Sequence, residues 1–183
     1  PSPKDCSMYV SIPFCPTRCT YCSFVSYTSK RLLDLIPEYL ERLKRDISSN
    51  VAIINRLGLN LKTLYIGGGT PTILTEEQLA DLLSHISKNI DVSKLSEFTL
   101  EAGRPDTVTK EKLEVLKKHN VGRISINPQT FSESVLNAIG RKHTTAQTEE
   151  KFLLAKEVGF DAINMDLIAG LPTDTVESFK NSV

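Results

Sequence analysis

The sequence predicts an α/β domain, an open, partial parallel β/α barrel of about five to six strands. Three observations lead there. Apolar strand-like runs and amphipathic helical stretches alternate five times along 183 residues, the pattern that gives parallel strands joined by right-handed helical crossovers. The residues with chemistry to offer, among them Cys15, the Gly67–Gly69 run, Glu101, Gln129 and Asp166, fall at the ends of strand candidates, where such sheets collect their sites. Five strands are too few to close an eight-stranded barrel, so the sheet stays open.

The first strand is the apolar stretch Met8 to Ile12, closed by Pro13, a residue that suits a strand end. Ile36, Leu40, Leu43, Ile47, Val51 and Ile54 then recur at helical spacing, with Pro37 in the first turn and Gly58 at the cap. Leu61 to Ile66 is the second strand, and Thr75 with Gln78 forms a capping box for a helix carrying Leu79, Leu82, Leu83, Ile86 and Ile90. Glu97 to Glu101 is the third strand, and Thr109 caps the helix that buries Leu113 and Leu116. Arg123 to Ile126 is the fourth. Val135, Leu136 and Ile139 make a short helix stopped by Gly140, and Thr144 with Gln147 opens another that Gly159 ends. Phe160 to Asp166 is the fifth strand, and a last helix starts at Thr173 or Asp174.

Twenty-two basic and 22 acidic residues cancel to a formal net charge of +0, so nothing points to a nucleic-acid or membrane-surface partner. No apolar run approaches the ~20 residues of a membrane span, and no basic-then-apolar leader is present. Three of the four cysteines share one motif, which fits a reducing cytoplasm; Cys6 stands apart as an ordinary thiol. The chain opens almost directly on a strand and stops inside a helical run. It therefore reads as one core domain over residues 1–183, cut at both ends from a longer protein.

The stretch YVSIPFCPTRCTYCSF, residues 9–24, sets Cys15, Cys19 and Cys22 in a C-x3-C-x2-C array behind the first strand. Three thiolates on one loop hold three corners of an iron–sulfur cube and leave the fourth iron open to an exogenous ligand. Two plainer readings stay open on spacing alone. A structural zinc site needs a fourth Cys or His, and His85, His119 and His143 are distant in sequence. A disulfide framework suits small secreted chains richer in cysteine.

The Gly67–Gly69 run lets backbone approach a ligand closely; it lacks the Gly-Lys-Ser/Thr of a phosphate loop and the dinucleotide spacing. A plain tight turn is its other reading. Glu101 stands near Arg104, so a salt-bridged surface carboxylate is its alternative, and Gln129, Arg141 and Asp166 are equally ordinary singly. Together they offer acceptors for an ammonium and for ribose hydroxyls, and a cation for a carboxylate.

The cysteine spacing and GGGTP resemble the signatures of radical S-adenosylmethionine enzymes. YVSIPFC, GGGTPT, EFTLEAGRPDT, RISINPQT, GRKHT and DLIAGLPTDT stand in the order found in the oxygen-independent coproporphyrinogen III oxidases of that superfamily. The likeness runs from about Tyr9 to Thr175. It implies a 4Fe-4S cluster on Cys15, Cys19 and Cys22, and S-adenosyl-L-methionine contacted by Tyr9, Tyr21, Gly68, Gly69, Thr70, Glu101, Gln129, Arg141 and Asp166. It further implies a porphyrinogen substrate, an electron donor such as flavodoxin or ferredoxin, and no catalytic side chain, since the radical arises on the cofactor. The activity implied is oxidative decarboxylation of coproporphyrinogen III to protoporphyrinogen IX, with substrate contacts largely from a C-terminal region absent here. One position departs: well-known oxidases of this family carry a further cysteine two residues after the last ligand, and here Phe24 stands there. Phe24 is shared with haem-handling relatives, so a haem carrier with a cluster, or another radical S-adenosylmethionine activity, is the alternative.

Overall fold

The computed structural model describes residues 2–183. Its five strands are β1 (Asp5–Ile12), β2 (Asn60–Gly68), β3 (Glu97–Gly103), β4 (Arg123–Ile126) and β5 (Ala162–Asn164). They lie side by side in the order β1-β2-β3-β4-β5, every neighbouring pair parallel. Such an order follows when each crossover moves the chain one place in the same direction, and the sheet remains open with β1 and β5 at its edges. This is the predicted architecture.

Alternation along each strand divides the sheet's faces. Val10, Ile12, Leu64, Ile66, Phe98, Leu100, Ala102, Ile124 and Ile126 are buried together against the helices. On the other face Tyr9 pairs in register with Tyr65, Tyr65 with Thr99, and Glu101 with Ser125. The helical face is thus the core, and the opposite face is polar.

The crossovers are α2 (Ile36–Arg56), α3 (Glu76–Asn89), α4 (Lys110–Lys118) and α6 (Thr145–Val158), with α5 (Glu133–Ala138) on the β4-to-β5 connection. Helix α2 buries Ile36, Leu40, Ile47 and Val51, and Gly58 follows it at φ +60°, a left-handed turn that favours glycine. Thr75 and Gln78 close the capping box of α3, and Thr144 and Gln147 that of α6. Thr109 caps α4 through the Lys112 N–H. Gly159 ends α6 at φ +98°.

Several boundaries differ from expectation: β1 starts at Asp5 rather than Met8, β2 runs from Asn60 to Gly68, and β3 continues to Gly103. A short helix, α1 (Lys30–Leu33), precedes α2; it buries none of its residues, so no apolar periodicity announces it. Helix α5 starts at Glu133, two residues early. Strand β5 covers only Ala162–Asn164, because Phe160 is drawn under α6: its N–H bonds to the Ala155 carbonyl, and its ring is buried beneath the Lys117 ammonium at 5.2 Å. The last helix, α7 (Val176–Ser182), begins later than Thr173 or Asp174, since Thr173 sits at φ +66° and Thr175 is the cap.

Candidate functional site

Each strand delivers its loop to the same edge of the sheet, and those loops enclose a cavity of about 270 Å³. Cys15, Cys19, Tyr21, Cys22, Gly68, Gly69, Thr70, Glu101, Gln129, Arg141 and Asp166 all line it. Of the site residues read from the sequence, Tyr9 is not brought to this wall. It lies one row down the polar face, 60% exposed, with its ring stacked on Tyr65 at 5.7 Å. A Cβ built on Gly67 would stand 2.9 Å from both the Tyr9 hydroxyl and a Glu101 carboxylate oxygen. Gly67 therefore clears the space that those two groups occupy beneath the cavity. Burial, and second the Glu101 charge, raise the Tyr9 hydroxyl's pKa, and the same two causes push Tyr65 up to about 12.

The cysteine loop is fixed at both ends. The Cys15 N–H bonds to the Tyr27 carbonyl at 3.0 Å, and the Tyr27 N–H to the Pro13 carbonyl at 2.7 Å. Gly69 and Thr70 lie against its start, donating to the carbonyls of Ile12 and Phe14 at 2.8 Å each. A Cβ on Gly69 would meet the Phe14 carbonyl oxygen at 2.6 Å and Cys15 Sγ at 2.9 Å, so glycine is needed for this close approach. Gly68 adopts φ +113°. Cys15 Sγ lies 3.3 Å from Thr70 Oγ1, and burial raises the Cys15 thiol's pKa.

All four cysteines are free thiols, so no disulfide framework forms. Three sulfurs face one cavity, yet among the described residues no three His, Cys, Asp or Glu side chains are grouped to hold a single metal ion. A tetrahedral zinc needs such a grouping; a cube, which offers each thiolate its own iron, does not. Three soft thiolate donors facing one cavity fit an iron–sulfur cluster with one open iron.

The polar wall hinges on Asn127, which the sequence reading missed. Its Nδ2 donates to Glu101 Oε1 at 3.3 Å, its Oδ1 accepts from Ser125 Oγ at 2.7 Å and from the Asp166 N–H at 3.3 Å. Its carbonyl accepts from Arg141 Nη1 at 3.2 Å. One residue thus ties together the Glu101 carboxylate of β3, the backbone of Asp166 just past β5 and the Arg141 guanidinium beyond α5. Its position just past β4, before Pro128, was the available signal. Arg141 also donates to the Tyr21 hydroxyl at 2.9 Å, while its buried Nε has no hydrogen-bonding partner among the described residues. Glu101, largely buried, has its pKa raised by desolvation, partly offset by the Gly68 N–H. Gln129 adopts φ +70°, uncommon for a non-glycine residue. Its N–H bonds to the Asp166 carbonyl and its carbonyl accepts from the Ile168 N–H, joining the loops after β4 and β5.

Arg104 is the second residue the sequence misplaced. It does not pair with Glu101; its side chain is clamped by Asp106, Nε and Nη2 each 3.0 Å from a carboxylate oxygen. Phe24, 68% exposed, stands at the rim.

The sequence pattern of the Radical SAM superfamily matches residues 9–183. The chain is 42% identical over 180 residues to the oxygen-independent coproporphyrinogen-III oxidase-like protein HemZ of Bacillus subtilis (strain 168), covering 98% of this chain and 36% of that protein. It is 40% identical to the heme chaperone HemW of the same organism, covering 97% and 46% respectively. The fold superposes on coproporphyrinogen III oxidase (HemN) from Escherichia coli with a TM-score of 0.83 and 28% identity, covering 96% of this chain and 40% of that one. The chain spans less than half the length of these relatives. With the cysteine array, the glycine turn and the open parallel sheet all in the matched region, the chain belongs to the radical SAM superfamily.

Proposed function

We propose that this chain is the core of an enzyme that decarboxylates two propionate side chains of coproporphyrinogen III without oxygen, giving protoporphyrinogen IX. The observation that carries the reading is the shared cavity: three cysteine sulfurs on one side, Glu101, Arg141, Gln129 and Asp166 on the other. Cys15, Cys19 and Cys22 hold a 4Fe-4S cluster in this reading, and the polar wall holds S-adenosyl-L-methionine. When bound, that pair supplies hydrogen-atom abstraction through a 5′-deoxyadenosyl radical.

The protein's part is binding and orientation. Gly68 and Gly69 bring backbone close to the methionine ammonium, and Glu101 offers it an acceptor. Arg141, with Nε unspent, meets the carboxylate, and Asp166 accepts from ribose hydroxyls. Tyr9 stands outside the cavity wall, with its hydroxyl and Glu101 both against Gly67. The reaction removes a β-hydrogen atom, carbon dioxide and one electron from each of two propionates, leaving a vinyl group at each, and a flavodoxin- or ferredoxin-type donor supplies reducing electrons. The site lies in the cytoplasm, the compartment that keeps its thiols reduced.

Phe24 and the 40% identity to a heme chaperone favour a second reading, a haem carrier that keeps the cluster but performs no decarboxylation. The two separate by experiment. The gene product carrying this chain is reconstituted anaerobically and given reductant, S-adenosyl-L-methionine, coproporphyrinogen III and an electron acceptor, then titrated with haem. Vinyl product is the expected result. Cofactor cleavage without vinyl product, together with stoichiometric haem binding, rejects the oxidase and selects the carrier. Cys19→Ala is expected to lose the cluster, seen as loss of iron and of its visible absorbance; retention of about four irons per chain rejects this ligand set.

A further inference from the structure

The cysteine loop is held by a buried cation that shares the cavity wall. Arg104 is 3% exposed and reaches 85 residues back along the chain. Its Nη1 donates to Thr17 Oγ1 at 2.7 Å and lies 3.9 Å from Cys19 Sγ. The other two guanidinium nitrogens are spent on the Asp106 carboxylate, so the fork has one orientation. Arg104 starts the 3-10 turn Pro105–Thr107, and its carbonyl accepts from Thr107 Oγ1 at 2.9 Å. Thr107 in turn meets Thr72 Oγ1 at 2.6 Å. The turn after β3 is thereby tied to the segment following the glycine run, which also packs on Cys15.

We infer that Arg104 is a positioning residue with two effects: it pins the Thr17–Cys19 stretch, and it sets the charge felt at Cys19 and whatever that sulfur ligates. Charge is the argument for the second effect. A guanidinium is always protonated, and burial strengthens its field. Hydrogen bonds and net charge at the sulfurs are what set an iron–sulfur potential. A cation at Cys19 favours the more negative, reduced state; Asp106 attenuates it. The second effect rests on the cluster reading above, whereas the first does not.

The two effects give different tests. Amide hydrogen exchange over residues 15–22 of the metal-free protein reads the tether. Arg104→Gln is expected to speed that exchange several-fold; Arg104→Lys, which cannot grip Asp106 and Thr17 at once, recovers little of it. Anaerobic reconstitution then gives iron and sulfide content, followed by a redox titration of the reconstituted protein. Arg104→Gln is expected to lower the potential, Arg104→Lys to restore most of it, and Asp106→Asn, which frees the cation, to raise it. A merely structural residue moves the last and first variants in the same direction. Unchanged exchange in Arg104→Gln overturns the tether, and equal or same-direction potential shifts overturn the charge effect. If Arg104→Gln fails to fold, Asp106→Asn alone decides the charge effect and Arg104→Lys the tether. Wild-type protein that takes up no iron overturns the cluster reading and the charge effect while leaving the exchange result standing.

Discussion

At the residue scale, most of the cavity's wall is side chains whose worth depends on one neighbour. Glu101 is held by Asn127 and sits over Gly67. Glu101→Ala is expected to leave the iron content unchanged and to weaken S-adenosyl-L-methionine binding about 10- to 150-fold by isothermal titration. That range corresponds to on the order of 1.5–3 kcal/mol for a lost hydrogen bond to a charged group. Gly69→Ala acts otherwise. Its new methyl stands 2.6 Å from a backbone oxygen, which cannot swing away as a side-chain tip can. The cysteine loop or the glycine turn must shift, and about 1–3 kcal/mol of stability is expected to go with it, read from urea midpoints. The cavity's lining was largely legible because three spaced thiols and a glycine run are distinctive, and because Glu101, Gln129 and Asp166, ordinary singly, all fall at strand ends. Arg104 and Asn127 were not, because their partners are set by folding. Arg104 looked local to Glu101 yet turns to Asp106, Thr17 and Cys19. Asn127 reads as a turn residue and acts as the joint of three loops.

At the scale of elements, the helices were predictable to within a residue or two wherever a cap chemistry marks them. Both threonine–glutamine boxes close as expected. Thr75→Ala is expected to cost about 1 kcal/mol, the usual worth of a cap, as a lowered urea midpoint with an unchanged slope. Elements without such markers escaped. Helix α1 has no buried face, and β5 gave up Phe160 to α6 because an aromatic ring serves equally as strand residue and helix anchor. Arg123 to Ile126 was found to the residue, since Gly122 on one side and Asn-Pro on the other bound the alternating run Arg-Ile-Ser-Ile.

For the whole molecule, stability carries a pH dependence from a residue the site does not use. His143 is 2% exposed, and neither ring nitrogen has a hydrogen-bonding partner among the described residues. Burial first, and the Arg141 charge second, push its pKa from 6.5 to about 4. The unfolded chain therefore takes up this proton earlier than the folded one. The contribution is complete above pH 6.5 and is lost as pH falls toward 4, up to about 3 kcal/mol. His143→Leu is expected to flatten that part of the stability curve, measured by urea unfolding between pH 7 and 4.5; an unchanged slope contradicts the assignment.

The cavity's lining is collected from Cys15 through Ile168, with a contribution from the end of every strand. A chain made from its N-terminus therefore exposes its three thiols first and must wait for the fifth strand before they have a roof. In that interval they are open to oxidation and to stray metals.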